Sequence, residues 1–122
     1  MVEFRGNEAQ LQEVVETARR RWPELVAAFE ERQPGQTFSI KAKFQEGEAV
    51  EWMWVEVTGM EQGIIYGKLG NDPVDLKKVR LGSRVRVKAG EIADWVFTHG
   101  NEMVGGFSVA LLIDQQQDRR DE

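Results

Sequence analysis

Residues 37–44 read TFSIKAKF, and polar and apolar side chains alternate along them without interruption. Successive side chains of a β-strand point to opposite faces of its sheet, so this spacing puts every apolar residue on one face. The stretch therefore predicts a half-buried strand. Its inner face carries Phe38, Ile40, Ala42 and Phe44.

The segment before this strand has a helical period instead. Between Asn7 and about Gln33, apolar residues recur at steps of three and four, which keeps them on one face of a helix. Asn7 and Gln10 suit an N-cap and its reciprocal partner. Pro23 removes a backbone donor but does not break the phase. We expect a kinked helix, or two short helices that meet at Trp22 and Pro23.

Five further strands are expected after the first one, because short apolar and β-branched segments alternate with turn residues. They cover residues 50–59, 64–70, 83–88, 92–98 and 103–113, with a tight turn at residues 99–101. One helical segment followed by short strands predicts an α+β domain. In this domain the helix covers a strongly bent antiparallel sheet, or partial barrel, of about six strands. We expect one domain over residues 1–114 and a polar, disordered tail over residues 115–122.

The composition excludes several classes of site. The 122 residues include no cysteine, so disulfides, thiolate metal sites and cysteine nucleophiles are ruled out. His99 is the only histidine, which excludes a His-rich metal site. No phosphate-binding loop is present, and we expect no metal and no cofactor. No apolar run approaches the roughly 20 residues of a membrane span, and no secretory leader is evident, so a cytoplasmic protein without a membrane partner is expected.

Several short motifs together resemble one known family. They are Ala18-Arg19, FSIK at 38–41, EWMWV at 51–55, GKLGNDP at 67–73, Gly82, IADW at 92–95 and GGFS at 105–108. On these motifs, residues 18–113 resemble the bacterial family called domain of unknown function 2314. The resemblance implies a small bacterial domain, sometimes joined to other modules, with no established activity. In the family pattern a histidine often stands where this chain has Trp52, which argues against a mechanism that needs an imidazole there.

Trp52 and Trp54 are two residues apart in the second strand and therefore share a face, while Met53 and Val55 occupy the other. A strand that is apolar on both faces is either enclosed in the core or presents one face to a partner. Burial is the favoured interpretation, and exposure would provide an aromatic anchor.

We expect a binding or interaction module rather than an enzyme, because no nucleophile, metal or cofactor motif accompanies the strand aromatics. The partner would be an unidentified protein or peptide, and a homodimer is an option. The predicted surface combines Trp52 or Trp54 with Asn71, Asp72, Pro73, Asp94 and Trp95.

An alternative is a small hydrolase or lyase in which Glu51 and Asp94 form a catalytic carboxylate pair. The structural alternative is that Trp95 fills the core and Asp94 accepts hydrogen bonds from a nearby loop, which is the favoured interpretation. His99 is expected to be a solvated turn residue. The glycine pair at 105 and 106 marks a bend in a strand or, less favoured, a close approach of a ligand.

A second alternative is nucleic-acid binding, because six cations occur over residues 77–88 without an acidic residue. Lys41 and Lys43 would extend this basic stripe if they lay nearby. The favoured interpretation is a solvated face paired across strands with Glu51 or Glu56. The net charge of −5 and the lack of interleaved aromatics make nucleic acid an unlikely partner. The six cations are Lys77, Lys78, Arg80, Arg84, Arg86 and Lys88.

Overall fold

The computed structural model describes residues 8–108, with side chains described from residue 10 onward. Two helices come first and six strands follow, with a short 3-10 turn before the fifth strand. The elements are α1 (Glu8–Arg20), α2 (Trp22–Glu30), β1 (Phe38–Glu46), β2 (Ala49–Glu61), β3 (Ile64–Leu69), β4 (Arg84–Lys88), β5 (Ile92–His99) and β6 (Glu102–Gly105).

The strands form one antiparallel sheet in the order β4-β3-β2-β1-β5-β6. Within the described residues the sheet does not close, so β4 and β6 are its edges. The helices pack mainly on β5. The predicted α+β class, with helices on an antiparallel sheet of about six strands, is confirmed.

The helical segment divides into two helices at Arg21, two residues before Pro23. Proline is tolerated in the first turn of a helix because the N–H that it lacks has no partner there. The sequence-based alternative of two short helices is therefore the correct one. Helix α2 ends at Glu30, somewhat before the predicted end near Gln33, and the predicted N-cap residue Asn7 lies outside the described residues.

The alternation of β1 is confirmed by its burial, since Phe38, Ile40 and Ala42 are buried in the core cluster. These residues and their cross-strand neighbours face the helices, and we call this side of the sheet the core face. The opposite side is the open face. Its side chains from β1 to β4 include Lys41, Lys43, Trp52, Trp54, Glu56, Tyr66, Lys68, Arg84, Arg86 and Lys88.

The sixth strand is much shorter than the sequence suggests. A strand was expected over residues 103–113, but β6 ends at Gly105, and residues 107 and 108 have helical backbone. Gly105 and Gly106 have φ values of +91° and +70°, which L-residues rarely adopt and which turn the chain out of the sheet. Residues 109–113 and the predicted tail at 115–122 lie outside the described residues.

No helix among the described residues is long and apolar enough to cross a membrane.

Candidate functional site

Trp95 lies in the centre of the core and is completely inaccessible to solvent. Its indole N–H donates to the carbonyl oxygen of Ala18 in α1 at 2.7 Å. Its ring stacks on Phe97, with 5.8 Å between ring centroids, and meets Phe107 edge-on at 5.2 Å. A buried indole with a satisfied N–H stabilises the fold and is not available to a partner.

Asp94 is also fully buried, and its carboxylate is surrounded by donors from the chain itself. It accepts the backbone N–H groups of Trp95, Phe107 and Ser108 at 2.8, 3.0 and 2.9 Å, and the Ser108 hydroxyl at 2.5 Å. Asp94 therefore fastens the segment that follows β6 to β5. This is the structural interpretation that the sequence favoured, so Asp94 lies on no exposed surface.

Glu51 has a comparable structural position on β2. Its carboxylate accepts the N–H groups of Val74, Asp75 and Leu76 at 2.8, 2.8 and 3.0 Å. The hydrogen bonds from Val74 and Asp75 stabilise the ionised form and hold the pKa of Glu51 below its ordinary value. Glu46 of β1 continues the pattern by accepting the N–H groups of residues 77 and 78 at 2.7 and 3.0 Å.

The loop between β3 and β4, residues 70–83, is thus tied to the sheet by polar side chains. Asn71 accepts the N–H of Trp54 through its side-chain oxygen at 3.1 Å, and Asp72 accepts the N–H of Leu81 at 2.9 Å. Pro73 is partly buried beside them. The residues that were expected to orient a partner hold their own loop in place.

Glu51 and Asp94 bond different parts of the chain. They lie on β2 and β5, with β1 between these strands, and each carboxylate bonds a different backbone segment. A general acid needs a raised pKa, whereas the pKa of Glu51 is lowered. This geometry lends no support to the hydrolase or lyase alternative.

Trp52 and Trp54 lie on the open face, outside the core. Trp52 is 51% exposed, so the favoured prediction of burial is wrong for this residue. Trp54 is partly buried, and the Nζ atom of Lys41 stands 5.8 Å from the centre of its ring. The cross-strand register places Lys43 directly opposite Trp52 and Lys41 directly opposite Trp54. Each tryptophan therefore has a lysine as its neighbour.

The basic run over residues 77–88 is divided by the fold. Arg84, Arg86 and Lys88 lie on β4 and project from the open face. The other three cations, Lys77, Lys78 and Arg80, belong to the β3–β4 loop, which also sends Leu76 into the core. Only half of the predicted basic stripe therefore lies on the sheet.

Two residues of the open face were missed from the sequence. Tyr66 is 37% exposed and lies opposite Arg86, and Lys68 lies opposite Arg84. These four side chains line a shallow groove of about 600 Å³. Every second residue of a strand lies on the same face, so the spacing of Tyr66 and Lys68 along β3 would have predicted that they share one.

The cations of the open face are not neutralised by neighbours. Among the described residues, the one ion pair within 4.0 Å joins Arg21, between the two helices, and Glu24 of α2. Glu56 lies opposite Lys68 without forming an ion pair, and Glu51 is occupied by the loop. The expected pairing of the stripe with Glu51 or Glu56 does not occur.

The remaining candidates are structural or isolated. His99 is exposed at the end of β5, next to the predicted turn. At Gly105, a Cβ atom would collide with the backbone oxygen and the ring of Trp95, so the glycine permits this close packing. In the part of the chain that the structure describes, no three metal-ligating side chains lie together.

Comparisons with known proteins place the chain among bacterial proteins without a described activity. It is 29% identical over 87 residues to "Uncharacterized protein YegJ" of Escherichia coli (strain K12), which covers 70% of this chain and 57% of that protein. It is 34% identical over 71 residues to "Putative ankyrin repeat protein NMB1133/NMB1171" of Neisseria meningitidis serogroup B, which covers 58% of this chain and 28% of that protein. The chain thus spans less than two thirds of either relative.

No solved structure matches the chain. A sequence model of the family described as "Uncharacterized protein conserved in bacteria (DUF2314)" matches residues 8–122, which include the whole described fold. The chain belongs to this family, DUF2314.

Proposed function

We propose that this domain is a binding module that takes an anionic macromolecule on the open face of its sheet. The observation that carries the proposal is a set of six cations on this face, interspersed with three aromatic rings; none of the six forms an ion pair within 4.0 Å with another described residue. The cations are Lys41, Lys43, Lys68, Arg84, Arg86 and Lys88. The rings belong to Trp52, Trp54 and Tyr66.

The arrangement of the cations is unfavourable for the isolated domain. Lys68 and Arg84 are direct cross-strand partners, and like charges in this position repel each other; Glu56, on the other side of Lys68, offsets part of this repulsion. Arg86 follows Arg84 on the same face of β4, two residues on. A negatively charged partner would relieve this repulsion. The face would also attract such a partner despite the net charge of −5, because local potential steers association.

The aromatic residues of the open face also favour a binding surface. Tryptophan, tyrosine and arginine are the residues that most often dominate binding energy at interfaces. Trp52 is half exposed and so leaves a large aromatic surface available to a partner. The proposed surface therefore retains Trp52 and Trp54 from the sequence-based prediction, and the cations take the place of the other predicted members. Those other members are Asn71, Asp72, Pro73, Asp94 and Trp95.

The matched segment occupies 28% of the ankyrin-repeat relative, which is consistent with a module joined to other segments.

Retention on a heparin matrix tests the proposal, because heparin is a polyanion of neither protein nor nucleic-acid class. The wild-type protein should be retained, and the double variant Arg84→Glu/Arg86→Glu should elute at much lower salt. The matched control is Lys77→Glu/Lys78→Glu, which makes the same change in charge on the β3–β4 loop. Equal loss of retention in both double variants, or a wild-type protein that is not retained, would contradict the proposal.

A further inference from the structure

We infer that the anionic macromolecule is a single-stranded nucleic acid; this inference rests on the proposed function. The inference rests on the cations and aromatic rings that the cross-strand register brings together on the open face.

The cations and rings lie on one diagonal path across the sheet. The path begins at Lys43 on β1, beside Trp52 on β2, and ends at Lys88 on β4. It runs eight residues along the strands and three strand spacings across them, a length of about 30 Å. Single-stranded binding surfaces on small β-domains hold about 4–16 nucleotides, and a path of this length suits the lower part of that range.

Rings and cations alternate in the first half of this path, whereas the second half holds four cations and one ring, and Glu56 lies between the two halves. Lys43, Trp52, Lys41 and Trp54 form the first half, and the contact of Lys41 with the Trp54 ring shows how closely the two kinds of group approach. Lys68, Arg84, Tyr66, Arg86 and Lys88 form the second half. A single strand offers a partner to both kinds of group, because each nucleotide carries one base with a π-face and one phosphate.

The pattern is less suited to other partners. An acidic protein would be expected to meet a continuous apolar centre with charges at the rim, but Glu56 and Lys68 separate Trp54 from Tyr66. A DNA duplex is read by a helix or ribbon that enters a groove, whereas these side chains lie on the face of a sheet. An unstacked single strand can lie flat on such a face.

Fluorescence anisotropy with a labelled oligothymidylate of about 12 nucleotides tests the inference. We expect saturable binding in which the logarithm of the affinity falls with the logarithm of the salt concentration, with a slope of about −3 to −4 for four to six phosphate contacts. The same strand annealed to its complement should bind clearly more weakly. Duplex binding of equal strength would overturn the inference.

The variants separate the contribution of the rings from that of the cations. Trp54→Ala should weaken binding roughly 5- to 150-fold and leave the salt slope unchanged, because stacking does not depend on counterions. Arg84→Ala/Arg86→Ala should reduce the magnitude of the slope by about 1.4, because each lost phosphate contact contributes about 0.7. Leu81→Ala, which truncates an exposed apolar residue of the β3–β4 loop, is the control and should bind as the wild type does.

Polyglutamate in the same assay distinguishes this inference from the proposed function. If the protein is retained on heparin and binds polyglutamate but not oligothymidylate, the open face is a binding surface for acidic proteins and the nucleic-acid inference falls alone. If neither heparin nor oligothymidylate is bound, both proposals fall. An affinity for oligothymidylate that Trp54→Ala leaves intact would also overturn the inference, because the rings would then have no part in recognition.

Discussion

Tryptophan is buried on one face of the sheet and exposed on the other. Trp95 points to the core face, is fully buried and donates its indole N–H to α1, whereas Trp52 points to the open face and is 51% exposed. Both residues come from strands with large apolar side chains, but Trp95 lies opposite Ile40 and Trp52 lies opposite Lys43, so the register places them on opposite faces. The comparison shows that in this domain the register of a strand, more than its composition, decides which aromatic residues stabilise the fold and which remain available.

The largest difference between the faces should appear when each tryptophan is truncated. Trp95→Ala removes a buried ring and an internal hydrogen bond and should lower the free energy of unfolding by about 3–5 kcal/mol. Trp52→Ala should lower it by about 1 kcal/mol or less, because the ring is half exposed. Urea denaturation measures both. Comparable losses would mean that the open face is part of the stabilising core.

A second prediction concerns the glycine that packs on Trp95. Gly105→Ala should destabilise strongly, because φ is positive there and the new Cβ would overlap with Trp95. Gly82→Ala is the matched control: its φ of +86° is similar, but nothing lies within 4 Å of the added atom. The control should lower the free energy of unfolding by about 1–2 kcal/mol, from backbone strain alone. Gly105→Ala should lower the free energy of unfolding by about 1–3 kcal/mol more than the control does, because the added Cβ overpacks against Trp95. Equal losses of stability in thermal unfolding would contradict the packing argument.

A third prediction tests the buried carboxylate of Asp94. Asp94→Asn replaces one acceptor oxygen by an NH₂ group that faces backbone donors, so it should destabilise by about 1–3 kcal/mol. Asp72→Asn is the control, because Asp72 is exposed and the one oxygen that accepts the N–H of Leu81 can be retained. Denaturant titration compares the two. A small effect of Asp94→Asn would show that the Asp94 carboxylate is not needed to hold the segment after β6 in place.

The smallest expected effect is a change in the pH dependence of stability at Glu51. Its pKa is lowered in the folded protein by hydrogen bonds from Val74 and Asp75. The stabilisation is therefore fully present above the unfolded pKa of roughly 4.3 and is lost as the pH falls through the lower folded value. Wild type should exceed Glu51→Gln in stability at pH 7, and urea titrations should show the gap closing under acid. A gap that widens under acid would reverse the assigned sign.

Local patterns were sufficient to predict the architecture. The period of two in residues 37–44 and the period near 3.6 before it place β1 and the helices correctly, since both depend on neighbours along the chain. The end of β6 was missed because an apolar run such as residues 107–113 suits a strand or a helix equally well. The conformation of the glycine pair, which ends the strand, is not encoded in that run.

The candidate site could not be predicted from local patterns, because it depends on contacts between residues that are far apart in the sequence. Trp52 and Trp54 looked like core residues because both faces of β2 are apolar, and sequence alone does not show which face the helices cover. Aromatic residues seemed absent from the basic run because the interleaving occurs between strands, for example where Tyr66 lies opposite Arg86. The role of Glu51 required contact with a loop more than 20 residues further along the chain.

The central claim is that the open face receives an anionic macromolecule. An NMR titration of the ¹⁵N-labelled protein with a short heparin fragment tests it most directly, because each tryptophan contributes one indole N–H signal. We predict that the signals of Trp52 and Trp54 shift together with the backbone amides of β4, while that of Trp95 does not move. Shifts confined to the helices, or no shifts at all, would contradict the account.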